Sequence, residues 1–252
     1  MLHALTRRPG PLAHAELTHI DRVPVDMAVA AAQHLAYCAA LAAAGAQIVV
    51  LPSLADYPDC CFVEDTAVIL SELVIRTRPG AASRQGEVAE IAPHLPGDRP
   101  HVTITAPGTV DGGDVLVVGK DIFIGLTLRS NAAAVAQVAA ATARFGYRVT
   151  GVPVAKALHL KTAVSALADD LVLVNTEWLD PAIFGRRHIA SAPGEPFAAN
   201  SLTIGNTVFH AMGDVTLARI AAAGFDARFL DISEFAKAEA GLTCLSLVFQ
   251  TV

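Results

Sequence analysis

FVEDTAVIL, residues 62–70, sets two carboxylates, Glu64 and Asp65, at the mouth of a short apolar strand. The same arrangement returns four times. DGGDVLVVG (111–119) brings Asp111 and Asp114, LHLKTAVSAL (158–167) brings His159, AANSLTIG (198–205) brings Asn200, and LTCLSLVF (242–249) brings Cys244. The spacing is about 45 residues, and a recurrence of that length marks a stack or a closed ring of like modules. If the ring closes, these strand ends converge, and the last strand, behind Cys244, must close against the first. A thiol, an imidazole and carboxylates meeting at one point are the equipment for nucleophilic attack on a cationic carbon.

Outward from these signatures, helix-like and strand-like stretches alternate. Met27–Ala44 is apolar with few breakers and is followed by Gly45. Ser83 is a candidate cap for a helix reaching about Leu95, with Glu87 and Glu90 near its start. Asn131 is a candidate cap for 132–145, closed by Gly146, and Thr216–Ala223 is closed by Gly224. Strands are expected at Gln47–Leu51, Ala67–Leu70, Val115–Val118, Ile122–Gly125, Leu171–Val174, Leu202–Ile204 and Leu245–Phe249. That is too much strand for simple βαβ alternation. The expected unit is two or three strands plus one helix, repeated about five times, in one domain spanning residues 1–252.

With 53% apolar and 17% charged residues, the 252-residue chain can bury a large core and is not a disordered one. A net charge of −6 and the lack of a basic run argue against a nucleic-acid partner and suit a cationic ligand. The apolar window 28–51 is interrupted by Gln33, His34 and Gln47, so no membrane span is expected. MLHALTRRPGPLAH lacks the apolar core of an export signal, which makes the cytoplasm the expected compartment. The four cysteines form no CxxC pair and are expected as free thiols.

Each chemical candidate has a plainer reading. Cys244 could be a small buried hydrophobe. As a nucleophile it needs a cation or a helix N-terminus to favour the thiolate. His159 could be an ordinary core histidine, but beside a nucleophile it is the natural acid and base. Asp111–Asp114 reads as a hairpin turn, or as acids placed where paired glycines admit a ligand. Asp59, Glu64 and Asp65 crowd three carboxylates into seven residues, around Phe62 and Val63. A solvated loop, a metal site or an organic cation would each answer that crowding. A soft thiolate partner argues against Mg²⁺ or Ca²⁺, and a guanidinium matches carboxylates in bidentate fashion. Arg84 and Arg129 read as surface arginines or as clamps for a carboxylate. Acids at one end and arginines at the other describe a site for an arginine-like molecule.

In this order and at these separations, PDCCFVEDTAVI (58–69), TRPGAASRQGEV (77–88), PGTVDGGDVLVVG (107–119), FIGLTLRSN (123–131), LHLKTA (158–163), AAN (198–200) and SEFAKAEAGLTCLSL (233–247) resemble the dimethylarginine dimethylaminohydrolases of the guanidine-modifying superfamily. The resemblance implies an α/β propeller of five ββαβ-type modules. It implies Cys244 as nucleophile, His159 as general acid and base, and Asp111 as the third member. Asp59, Glu64 and Asp65 would surround the guanidinium, with Phe62 counted among the substrate-facing residues. Arg84 and Arg129 would clamp the carboxylate, and Leu17 (in HAEL, 14–17) and Ala238 would lend carbonyls to the α-ammonium. No metal or cofactor is implied, the partner is a methylated arginine, and there is room for a homodimer. Gln85 and Ser130 depart from the family's usual Arg and Thr. The rival functions are an arginine deiminase, which usually carries an extra helical insertion, a non-catalytic propeller that binds arginine-like ligands, and a metal-binding protein using residues 59–65.

Overall fold

A computed structural model describes residues 1–251 and groups its fifteen strands into five three-stranded sheets. One pattern repeats. In the second sheet β3 (Ala67–Ile69) runs antiparallel to β4 (Val74–Arg76), which pairs in parallel with β5 (His101–Thr103). The third sheet repeats it with β6 (Val115–Val118), β7 (Asp121–Leu126) and β8 (Arg148–Pro153). The fourth uses β9 (Val164–Ala168), β10 (Leu171–Val174) and β11 (Arg187–Ala190), and the fifth β12 (Ser201–Ile204), β13 (Thr207–His210) and β14 (Asp226–Phe229). The first sheet joins both ends of the chain: β15 (Ser246–Gln250) is antiparallel to β1 (Leu2–Arg7), which is parallel to β2 (Gln47–Leu51). The last strand thus closes on the first.

A parallel pair needs a crossover. Here α1 (Met27–Ala43), α2 (Glu87–Ile91), α3 (Ala132–Thr142) and α5 (Asp214–Ala222) supply it in four modules, and the fourth module manages with a 3₁₀ turn, Pro181–Phe184. The side chain of Asp26 starts α1 by accepting from the N–H groups of Ala28 and Val29, and Asn131 starts α3 through Ala134. The expected cap at Ser83 is a correction. Its hydroxyl donates to Glu16 at 2.7 Å instead, and the stretch breaks into a 3₁₀ turn Ala82–Arg84, α2, and a second turn Ala92–His94. Pro93 supplies no N–H to continue the helix, and the Arg84 side chain is drawn inward to Asp65 and Glu87. The segment Asp111–Asp114 is likewise not a hairpin turn: Gly112–Asp114 is a 3₁₀ turn that feeds β6.

The innermost strands β3, β6, β9, β12 and β15 together line a central channel of about 240 Å³. The arrangement is a five-bladed α/β propeller, and its cores lie between and outside the sheets. The largest places α1 and α6 (Ser233–Ala236) against Leu242 and Leu245. Within it Tyr37, fully buried, donates to the carbonyl of Leu242 at 3.0 Å and lies 2.7 Å from the Ser246 hydroxyl. The packed core of α1 therefore holds the turn that carries Cys244. Among the described residues no helix is long and apolar enough to cross a membrane.

Candidate active site

Each sequence signature folds into a short turn ahead of an innermost strand. Val63–Thr66 precedes β3, Gly112–Asp114 precedes β6, α4 (Leu160–Ala163) precedes β9, Asn200 directly precedes β12, and Leu242–Leu245 precedes β15. The turns project polar side chains toward the hub while the strands behind them stay apolar.

The hub is an ion network. Nε2 of His159 lies 3.0 Å from Oδ2 of the fully buried Asp111, whose Oδ1 accepts from the N–H of Gly80 at 2.8 Å. Asp65 accepts from Gly113 N–H at 2.8 Å and from Arg84 at 2.5 Å. Gly113 must be glycine: a Cβ there would stand 2.5 Å from Nδ1 of His159. Arg84 spends its fork on Asp65, on Glu87 (3.1 and 2.8 Å) and on the carbonyls of Phe62 and Asp59. Arg129 is less committed. It stands 3.4 Å from Glu16, 3.8 Å from Asp111 and 3.2 Å from the Thr18 hydroxyl.

Across the hub, Glu64 pairs with Lys161 and accepts from the Thr243 hydroxyl at 2.9 Å. Asn200 ties that side together, donating to the Lys161 carbonyl at 2.9 Å and to Thr243 at 3.0 Å. Cys244, partly exposed, accepts from Gly241 N–H at 3.4 Å.

These placements set the protonation states. Burial pulls the His159 imidazole down, but the Asp65 charge and the Asp111 hydrogen bond overcome it and push it up to about 9. Burial pushes the Asp65 carboxyl up, and the His159 and Arg84 charges outweigh that and hold it at about 2. Burial raises Glu64 and Asp59, against the opposing charges of Lys161 and Arg84 respectively. Burial, then the charges of Glu64 and Asp65, push the Cys244 thiol well up. At neutral pH these placements keep the thiol protonated and the imidazole charged. A cation arriving between them would offset the two carboxylates and favour the thiolate.

Two cavities meet here. A narrow one is walled by Asp59, Phe62, Asp65, Arg84, Arg129 and Ala238, and a wider one of about 190 Å³ lies beside it. His159 and Cys244 are in the wall of both. Of the sequence candidates, Asp59, Phe62, Asp65, Arg84, Arg129, Ala238, His159 and Cys244 meet at the narrow cavity, with Asp111 buried behind His159 and Glu64 on the wall of the wider one. Leu17 lines neither, although its neighbours Glu16 and Thr18 reach Arg129.

Asp65, Asp111 and His159 each bring one ligand atom within 4.8 Å of the others, so the trio could hold a cation. Their carboxylate oxygens already accept from Gly113, Arg84, Gly80 and His159. Carboxylates arranged to accept directional N–H bonds suit a guanidinium better than a bare ion.

Sequence reasoning gave no separate role to three groups. Lys161 shows only as a charge two residues past His159. Asp114, fully buried, accepts from Leu160 N–H (2.9 Å), Thr127 (2.7 Å) and Ser130 (2.5 Å), and burial pushes it up to about 6. It ties the turns of Asp111, Arg129 and His159 together, and the second acid of DGGD was its signal. Glu239 sits at φ 58, the one non-glycine residue with positive φ among the described residues, and accepts from the N–H groups of Thr18 (2.5 Å) and His19 (2.7 Å). Nothing local in the sequence announces it.

Fold and site together define a five-bladed α/β propeller with a thiol, an imidazole and clustered acids at its hub. No family model matches the chain. It is 40% identical over 248 residues to the N(G),N(G)-dimethylarginine dimethylaminohydrolase of Streptomyces coelicolor, covering 97% of this chain and 95% of that one. It superimposes with a TM-score of 0.92, at 33% identity and 98% coverage of both chains, on the Pseudomonas aeruginosa enzyme, solved as a cysteine-to-serine variant complexed with citrulline. A histidine-to-glycine dimethylarginine dimethylaminohydrolase, solved as an adduct with S-methyl-L-thiocitrulline, gives a TM-score of 0.91 at 34% identity, over 98% of this chain and 99% of that one. The chain belongs to the dimethylarginine dimethylaminohydrolase family.

Proposed function

We propose that this chain hydrolyses Nω-methylated arginines to citrulline and methylamine or dimethylamine, through a covalent intermediate on Cys244. The observation that carries the reading is that Cys244 and His159 share the wall of a cavity whose other sides are the acids Asp59 and Asp65 and the arginines Arg84 and Arg129. A planar cation with a carboxylate at its far end matches that distribution. Relatives with citrulline bound, or with a thiocitrulline adduct, support the same chemistry.

The substrate's guanidinium enters beside Asp65, with Asp59 and Glu64 adding negative charge and Phe62 and Ala238 shaping the wall. Its positive charge offsets the carboxylates that hold the Cys244 proton, the thiol releases that proton to solvent, and the thiolate forms. Sulfur attacks the guanidinium carbon. His159, charged at neutral pH, donates its proton to the departing nitrogen, and the C–N bond breaks. The neutral imidazole then takes a proton from water, hydroxide adds to the thiouronium carbon, and the C–S bond breaks to give citrulline. Asp111 orients His159. Arg129, whose contacts are long, takes the substrate carboxylate. Arg84, whose donors are taken, contributes charge and fixes Asp65. Leu17 and Ala238 are the candidates for carbonyls facing the α-ammonium.

Neither a metal nor a cofactor has a step in this sequence. We read the chain as one catalytic domain working in the cytoplasm with a small-molecule partner, with neither nucleic acid nor membrane as partner, and compatible with a homodimer. The test is separate incubation with arginine, monomethylarginine and asymmetric dimethylarginine, with ammonia, amines and citrulline assayed. Amine release from the methylated substrates is expected. Ammonia from arginine alone would make the chain a deiminase, and binding without product would make it a silent propeller.

A further inference from the structure

The wider cavity has a wall that the methylated-arginine reading leaves unused. Beyond Cys244 and His159 it is closed by Ile20, Trp178, Phe197, Met212 and Ile232. Trp178 and Phe197 meet edge to face, with centroids 5.7 Å apart and planes at 78°, and Phe197 is 44% exposed. The nearby cations are engaged elsewhere: Lys156 donates to the Glu177 carbonyl at 3.3 Å and Lys161 pairs with Glu64. An apolar pocket of about 150 Å³ is known to admit benzene, and this cavity is about 190 Å³.

We propose that this apolar wing is a subsite for the substituent on the departing nitrogen. The enzyme would then also hydrolyse arginines whose Nω group is larger than methyl, up to a benzyl ring. The inference rests on the reaction proposed above. In that reaction the nitrogen that leaves must lie beside His159, which gives it a proton. His159 and Cys244 form the seam between the charged cavity and the wing. With the arginine body held among Asp59, Asp65 and Arg129, a substituent on that nitrogen passes into the wing, whose own acids are engaged, Glu64 with Lys161 and Glu239 with the N–H groups of Thr18 and His19. One or two methyl groups leave most of it unfilled. A benzyl ring would meet Trp178 and Phe197 in the edge-to-face geometry that aromatic groups prefer. The step balances as before: the thiolate displaces benzylamine, His159 supplies the proton, and water completes citrulline.

The experiment uses the full chain with Nω-methyl-, Nω-propyl- and Nω-benzyl-L-arginine, measuring citrulline and the released amine together. Benzylamine and citrulline are expected in equal amounts. KM should fall by at least about tenfold from methyl to benzyl, since each buried methylene is worth roughly fourfold. Phe197→Ala, at an exposed position, should raise KM for the benzyl substrate about tenfold and leave the methyl substrate within about twofold. Ala211 also lines the wing, and Ala211→Phe, which fills it, should abolish benzyl turnover and spare methyl. The proposal is overturned if the benzyl substrate is neither hydrolysed nor competitive with methylarginine, or if Ala211→Phe slows every substrate alike, which would make the wing only the way in. No turnover of methylarginine itself would instead strike the parent reaction, and this inference with it.

Discussion

Beside the narrow substrate-facing cavity, the hub holds two larger ones of similar size that meet at Glu64, Lys161 and Thr243. One, of about 190 Å³, carries Cys244 and His159. The other, of about 240 Å³, is lined by the innermost strands themselves and shows mainly Ala, Val, Leu, Ser and Thr. Both belong to the same five-fold repeat. The difference is that the first is walled by turns and the second by strands. A strand's inward residues face the narrow axis shared by the five blades, so they stay small and uncharged. A turn ahead of the strand can carry a charge without disturbing the sheet. Chemistry on this scaffold therefore lives one to five residues before each innermost strand.

Breaking the chemically active side should have the largest effect. Cys244→Ser is expected to lower kcat by about 10⁴-fold or more while isothermal titration still shows ligand binding. Retained amine release would remove Cys244 from the nucleophile's role. Next comes His159→Asn, at about 10²–10⁴-fold in kcat, the usual worth of general acid–base help. The same imidazole gives a pH signature. Its folded value of about 9 lies above the ordinary 6.5, so kcat/KM should fall above about pH 9. The stabilisation it brings is complete below pH 6.5 and is lost as pH rises through 9. Asp65 runs the other way: its value of about 2 lies below the ordinary 3.8, so its contribution is present above pH 3.8 and fades as pH falls towards 2. Thermal midpoints across pH read both limbs.

Sharpening the comparison needs residues that line neither of these two regions. Arg129→Ala should raise KM by about 10–100-fold with little change in kcat, as loss of a charge-assisted contact made equally in ground and transition states. A loss confined to kcat would contradict the clamp. Asp114→Asn should lower kcat by about tenfold and leave KM nearly unchanged, because the carboxylate touches Leu160, Thr127 and Ser130 rather than the cavity. The smallest effect belongs to the strand-walled channel. Ser201→Ala there should leave kcat within about twofold and cost about 1 kcal/mol in unfolding experiments, through the lost hydroxyl contact with His210. A large kcat loss would give the channel a part in the reaction.

The innermost strands and the ring closure were readable because they are apolar, short and stopped by turn residues. The outer strands were mostly not. β14 reads DARF and β8 reads RVTGVP, half-exposed segments without clear alternation. The fourth module's crossover is only a four-residue turn, Pro181–Phe184, with no helical period to detect. At the site, Asp111, His159 and Cys244 announced themselves by position before a strand. Glu239 did not, because its partners Thr18 and His19 lie 221 and 220 residues away. Arg84 looked like a free clamp in SRQGE. Its engagement with Asp65, 19 residues back, is a tertiary fact.

The most direct measurement is peptide mass mapping of the unaltered chain, acid-quenched during turnover of dimethylarginine. An adduct equal in mass to the substrate less dimethylamine, carried by the peptide containing Cys244, is the expected result. The absence of any adduct in a quench fast enough to catch one turnover, or an adduct on Cys38, Cys60 or Cys61, would contradict it.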